Sequence, residues 1–163
     1  MILVDCDVLS HFIKGDQIML LPTIFKEPMK IIEQVEAELR RYSSKAIEVE
    51  HFFKSFPNIQ ISFPHANMKI TKEYLRLTEK MGKGESACLA VAKYTKDIVA
   101  SSNITDIQNY CQEHHIQYLT TMDFLCEAIK VGMLSKVECD HFIAKVIDAG
   151  SRLPVNKMDS YSC

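Results

Sequence analysis

Ile2-Leu3-Val4-Asp5-Cys6-Asp7 is the stretch that decides the fold. Three apolar residues without alternation have the pattern of a strand buried on both faces, as in a parallel sheet. The acid that follows is then delivered at the strand's carboxyl end, where open parallel sheets bind their ligands. Three further segments place an acid or amide beside a break in apolar periodicity: Val35-Glu36-Ala37-Glu38-Leu39, Gly82-Lys83-Gly84-Glu85, and Ile98-Val99-Ala100-Ser101-Ser102-Asn103-Ile104-Thr105-Asp106. Carboxylates gathered in a core repel one another unless a cation neutralises them. Hard divalent cations take oxygen ligands, and magnesium prefers a few carboxylates together with water and phosphate. The array therefore points to a metal-dependent site acting on phosphate.

Working outward from that first strand, Val8 to Lys14 is predicted to be a short helix stopped by Gly15-Asp16. Met29 to Tyr42 is predicted as one helix, through Ile32, Val35 and Leu39, and Lys45 to Phe56 as another that stops before Pro57. Ile59 to Phe63 alternates apolar and polar residues and reads as a second strand. A helix over Met68 to Met81 ends at Gly82, and Glu85 to Tyr94 is a small-residue helix suited to close packing through Ala87, Ala90 and Ala92. Asp97 to Ala100 and Ile116 to Leu119 are further strands, separated by a helix over Thr105 to His114. Helices over Met122 to Val131 and Val137 to Asp148 follow, and the tail from Gly150 is polar. Strands alternating with helices of this length indicate a parallel sheet with helices on both faces. The expectation is one α/β domain.

The 163 residues fit a single domain with a real core, and 47% hydrophobic with 25% charged residues is globular composition. A net charge of −2 supplies no bulk attraction to nucleic acid, so a nucleic-acid enzyme here needs a local basic patch. Lys83, beside Glu85, and Arg40 and Arg41, beside Glu38, are candidates to contact substrate phosphate, and a solvated surface is the plain alternative for each. Lys69, Lys72, Arg76 and Lys80 recur along one helix and read as a solvated face. The six cysteines show no CxxC pair and no zinc-knuckle spacing, so free thiols in a reducing compartment are expected. Cys88, Cys111 and Cys126 fall on apolar faces, where a thiol behaves as a small hydrophobe. The histidines form no HExxH or paired zinc spacing. No leader pattern and no apolar run of about 20 residues is present, and a soluble, cytoplasmic chain with no membrane partner is the expectation.

Asp5 and Asn103 each follow a strand and are expected in one crevice. Glu85 opens a helix, where the dipole favours a carboxylate; an acid that merely stabilises that first turn is the plain alternative. Glu38 falls roughly 70° from the centre of its helix's apolar stripe, and Glu36 roughly 90° on the other side, which makes Glu38 the inward candidate. Asp7 is a candidate second ligand, with a cap for the helix that starts at Val8 as the favoured reading.

These segments carry a resemblance. Asp5-Cys6-Asp7-Val8-Leu9 resembles the opening Asp-x-Asn-Val-Leu of the PIN-domain nucleases, and Val35-x-x-Glu38-Leu39 is similar to that family's second acidic motif. Gly82-Lys83-Gly84-Glu85-Ser86-Ala87 resembles its third, Gly-x-Gly-Glu. Ser102-Asn103-Ile104-Thr105-Asp106 is similar to the Asn-x-x-Asp form of its fourth, and Leu119 to Leu134 to its closing strand and helix. The likeness covers roughly residues 1–135, with residues 136–163 as a helix and tail extending the same domain along its surface. The resemblance implies a three-layer α/β/α fold around a mostly parallel sheet of four or five strands. It implies metal-dependent hydrolysis of RNA phosphodiesters by Asp5, Glu38, Glu85, Asn103 and Asp106, with Mg2+ or Mn2+ on Asp5, Glu85 and Asp106. It further implies a toxin of a toxin–antitoxin pair, with an antitoxin partner, and a homodimer. Asp7 departs from the family's Asn, and Asn103 stands where many members have an acid.

Two other readings compete. Val4-Asp5-Cys6-Asp7 imitates the Asp-x-Asp opening of haloacid-dehalogenase-like phosphatases, with Asp5 as nucleophile and Asp7 as acid/base. The chain lacks their late Gly-Asp-x-x-x-Asp motif, and that reading leaves Gly82-Lys83-Gly84-Glu85 without a role. In the other, the acids are remnants on an inactive RNA- or protein-binding module.

Overall fold

A computed structural model of the chain describes residues 1–163. Its first strand, β1 (Ile2–Val4), is wholly buried and lies at the centre of the sheet. β2 (Met29–Ile32) and β3 (Gln60–Ile61) follow on one side, β4 (Ile98–Ala100) and β5 (Tyr118–Leu119) on the other. The order is β3-β2-β1-β4-β5, and every pair is parallel. The chain reverses its direction of travel across the sheet between β1 and β4, which opens a crevice beyond their carboxyl ends.

Nine α-helices flank the sheet in a three-layer α/β/α arrangement: α1 (Cys6–Lys14), α2 (Leu21–Ile24), α3 (Glu33–Tyr42), α4 (Ala46–Ser55), α5 (Met68–Leu77), α6 (Lys83–Thr95), α7 (Ile104–His114), α8 (Thr121–Lys130) and α9 (Lys136–Asp148). A single 3-10 turn, Met158–Ser160, follows. α6 is buried almost throughout, from Gly84 to Ala92, and its alanines let it lie against α3 and α5 while crossing behind β1 and β4. No helix is long and apolar enough to cross a membrane.

The helix expected over Met29 to Tyr42 divides at Ile32. Met29, Ile31 and Ile32 are buried, and β2 docks between β1 and β3, with the Ile31 N–H donating to the Ile59 carbonyl at 2.8 Å. Adjacent isoleucines satisfy a helical stripe and a two-sided buried strand equally well; the open sheet edge beside β1 decides for the strand.

The C-terminal segment contributes more to the core than expected. α9 lies at the surface, and on its inner face Cys139, Phe142, Ile143 and Val146 belong to the same core as β1. The Phe142 ring sits 4.9 Å from that of Phe12 and directly over Gly15, where a Cβ would lie 2.2 Å from it. Glycine at the end of α1 is what lets α9 close down. The thiols are not all free, since Cys126 of α8 and Cys163 form a disulfide with Cα atoms 5.7 Å apart. Their separation of 37 residues, in no recognisable spacing, left the pairing unreadable.

Candidate functional site

Asp5 is the hinge between β1 and α1. Its N–H donates to the Ala100 carbonyl at 2.8 Å, which fixes it against β4, and its extended backbone makes it the N-cap residue of α1. Its carboxylate makes no capping bond; Oδ1 is buried without any hydrogen-bond partner. Asp7 is therefore not the cap. It lies inside the first turn of α1, where one oxygen accepts from the Val8 N–H at 2.6 Å. The other accepts from the Ser102 N–H at 2.7 Å and the Ser101 hydroxyl at 3.3 Å. Asp7 thus pins the loop that leaves β4. Ser102 continues the chain of bonds to the Thr121 hydroxyl at 2.8 Å, and Thr121 to the buried His11 ring at 2.8 Å. That polar chain ties α1, β4 and the start of α8 together and holds Asn103 at the crevice.

Glu38 comes from the second turn of α3 and faces inward, as its angle from the apolar stripe predicts. Its Oε1 accepts from the Gly84 N–H at 3.1 Å. A Cβ on Gly84 would lie 2.7 Å from Glu38 Oε2 and 3.1 Å from Asp5 Oδ1, so only glycine lets α6 start this close to both acids. Glu85 follows on α6, buried, with Oε1 unpartnered. Asp5, Glu38, Glu85 and Asn103 line one open basin of about 370 Å3, with Cys6, Asp7, Ser10 and Gly82 completing its wall.

The other expected residues stand around that basin. Asn103 is the N-cap residue of α7, and its amide donates to Asp106 Oδ2 at 2.7 Å; Asp106 itself is exposed on the first turn. Lys83 is exposed at the start of α6 and lines a neighbouring hollow of about 350 Å3 with Glu38, Gln34, Arg41 and Tyr42. Arg40 is not brought to the site. Its guanidinium pairs with Glu36 at 2.7 Å and Glu50 at 2.8 Å and covers the Phe53 ring, bracing α3 against α4. Ser10 went unnoticed in the sequence; its place one turn after Asp7 on α1 was the available signal.

The field in the basin is negative. Burial raises the Asp5 carboxyl well above the usual range, and the charges of Asp7, Glu85 and Glu38 add to it. Glu85 is pushed up to about 7, first by burial, then by Asp106 and Asp7, with Asn103 working in the opposite direction. Burial also raises Asp7, tempered by the Ser102 and Val8 N–H groups. The same surroundings push the Cys6 thiol to about 12, burial first and Asp5 next.

Buried polar atoms are almost always paired, so the unpartnered oxygens of Asp5 and Glu85 fit a missing positive partner. The donors are all oxygen, which suits a hard cation rather than zinc. No three of the acidic, histidine or cysteine side chains form a closed ligand set on their own. Magnesium tolerates that, since it keeps several of its waters.

The chain matches a family model described as a PIN domain over residues 1–160, which takes in α9 and most of the tail. No curated protein and no solved structure matches it. PIN domains are generally nucleases that use divalent metal ions, and the parallel sheet, the crevice at its carboxyl edge and the family match agree. This chain belongs to the PIN-domain family, with a function of the nuclease type.

Proposed function

We propose that the chain is a magnesium- or manganese-dependent endoribonuclease that hydrolyses RNA phosphodiester bonds. The observation that carries this reading is the meeting of Asp5, Glu38 and Glu85 around Gly84, with buried oxygens of Asp5 and Glu85 left unpartnered. Asp5 and Glu85, with Asp106 beside the basin, are the residues that would hold the ion. When bound, it supplies positive charge at the scissile phosphate and lowers the pKa of water. Glu38, oriented by the Gly84 N–H, lines the basin and orients the attacking water. Asn103 holds the Asp106 carboxylate in place, and Asp7 keeps the loop carrying Asn103 in register. Lys83 and Arg41 offer cations to the flanking phosphates from the adjoining hollow. The phosphatase alternative lacks support, since the family is PIN and Asp7 is bound to the β4 loop rather than free as an acid/base.

An RNA substrate places the chain in the cytoplasm, where the Cys126–Cys163 disulfide is open to reduction. The role of toxin, the antitoxin partner and the homodimer come from the sequence resemblance. A small DNA-binding protein encoded beside this chain and blocking its cleavage would support the first two.

The test compares wild type with Glu85→Gln, which keeps size and hydrogen bonding but loses the charge that a hard cation requires. Wild type should cleave single-stranded RNA only with magnesium or manganese, leave phosphomonoesters intact, and gain thermal stability from the metal. Glu85→Gln should cleave at least about 100-fold more slowly. Metal-independent cleavage, or equal rates for both proteins, would sink the proposal. Loss of both cleavage and metal-induced stabilisation in wild type would instead assign a binding module.

A further inference from the structure

Beyond α9 the chain doubles back across α8 toward the acidic basin. Arg152, Leu153, Pro154 and Tyr161 form one wall of a hollow of about 420 Å3, and the starts of α7 and α8 form the other. Asn103 lines both this hollow and the basin, so the two are adjoining compartments. The tail wall is fastened along its length. Lys14 Nζ donates to the Ser151 hydroxyl at 2.7 Å, and the buried Met158 gives its N–H to Asp140 at 2.7 Å. Lys136 pairs with Asp159 at 2.8 Å, and the Cys126–Cys163 disulfide anchors the chain two residues beyond Tyr161.

The lining is mixed: apolar surface from Met122, Leu153 and Pro154, the Tyr161 hydroxyl, further hydroxyls and an amide from the starts of α7 and α8, and one guanidinium. Arg152 makes no ion pair within the chain, so its donors are uncommitted. The helix starts and the cation suit a phosphate, and the apolar wall of Met122, Leu153 and Pro154 beside them suits a flat heterocycle, the two halves of a nucleotide. Unstacked RNA bases are held by aromatic stacking and by hydrogen bonds to their edges. Arginine has only donors to give. Guanine answers with two neighbouring acceptors, O6 and N7, whereas adenine sets an amino donor beside its N7.

We infer that this hollow is a nucleobase subsite with a preference for guanine, seating the base next to the scissile phosphate. Arg152 reads the acceptor edge, Tyr161 provides the stacking face, and the disulfide holds both in position. The place beside the scissile phosphate rests on the ribonuclease reading; the affinity for the base does not.

The experiment titrates 5′-GMP and 5′-AMP into the full chain with EDTA present, followed by calorimetry or amide chemical shifts. The two purines stack alike, so their difference isolates the edge contacts. GMP should bind about tenfold tighter than AMP, the size of discrimination a bidentate arginine supplies. Arg152→Ala should erase that preference, and Tyr161→Ala should weaken both nucleotides by about tenfold. Cys163→Ser, which releases the tail, should weaken both as well. Equal binding of GMP by wild type and Arg152→Ala overturns the subsite, as does GMP binding that appears only with magnesium, which would place the nucleotide on the acids. Metal-dependent RNA cleavage together with Arg152-insensitive GMP binding removes the subsite and leaves the nuclease standing. Arg152-dependent GMP binding without any cleavage keeps the pocket and removes its place in an RNA substrate.

Discussion

Glu85 is a carboxylate held against the charges of its neighbours, and its protonation records that. Its pKa of about 7 means the folded chain binds this proton more tightly than the unfolded chain, whose glutamates titrate near 4.5. Without metal, the proton stabilises the fold fully below pH 4.5, and that contribution is lost as the pH rises through about 7. The full difference is up to about 3 kcal/mol. His11 acts in the opposite sense: burial, aided by Lys14, pushes it down to about 4, so its contribution is present above pH 6.5 and lost as the pH falls toward 4. The informative quantity is therefore the difference between two proteins. Metal-free Glu85→Gln should melt higher than wild type at pH 8, with the gap closing by pH 5 in calorimetric scans. A gap independent of pH would show that Glu85 is not held protonated by its surroundings. Magnesium should stabilise wild type strongly at pH 8 and weakly at pH 5.5, where it competes with the proton. At this scale the sequence was readable wherever one residue type answers one steric or electrostatic demand. Glu38 is the clear case, since its angle from the apolar stripe set it apart from Glu36. Asp7 was misread because an acid at a helix start fits a cap and a first-turn residue equally, and only the distant β4 loop distinguishes them.

Helices are joined by polar ties that periodicity does not reveal. Glu73 of α5 is buried and accepts from Arg76 at 2.5 Å and from the Tyr110 hydroxyl of α7 at 2.8 Å, while Lys93 of α6 approaches to 3.1 Å. Burial alone would raise its pKa, but these three donors prevail and bring it to about 2. The stabilisation is thus present above pH 4.5 and lost as the pH falls toward 2. Glu73→Gln should cost about 1–3 kcal/mol at pH 7, because Lys93 and Tyr110 lose a charged acceptor. Urea melts at pH 7 and pH 3 should show the penalty shrinking in acid; an unchanged midpoint at pH 7 would mean the cluster contributes nothing. Arg76 belongs by spacing to a solvated basic stripe, and its pairing with Glu73, one turn back on the buried face, is what the charge pattern hides. Long helices with one apolar face were readable in type and place. β2 was not, because four residues running directly into a helix carry too little pattern to separate from it.

For the molecule as a whole, the fold class was open to reading and the strand order was not. Alternating strands and helices imply parallel pairing, but nothing in Ile2-Leu3-Val4 says which strands will flank it. One residue or more of each acidic segment lines the basin at the carboxyl edge, and the tail's return toward that edge was not foreseen, since a polar run with one proline has no periodicity. The disulfide makes that return a property of the whole chain. Closing a loop of 37 residues restricts the unfolded state by about 2–4 kcal/mol. Dithiothreitol should accordingly lower the melting temperature of wild type and leave Cys163→Ser unaffected; equal melts with and without reductant would mean the bond contributes no stability. The central place of β1 has a consequence for how the protein is made. Ile2 pairs with Met29 on one side but with Ile98 on the other. A growing polypeptide therefore carries its innermost strand as a bare edge until β4 has been synthesised, and bare edges invite pairing with other chains. Asn103 and Asp106 emerge just after β4, so the basin is assembled only once that edge is covered. The segment that covers the edge is thus also the one that carries Asn103 and Asp106 to the basin, and Thr121 of α8, made later still, fastens it there.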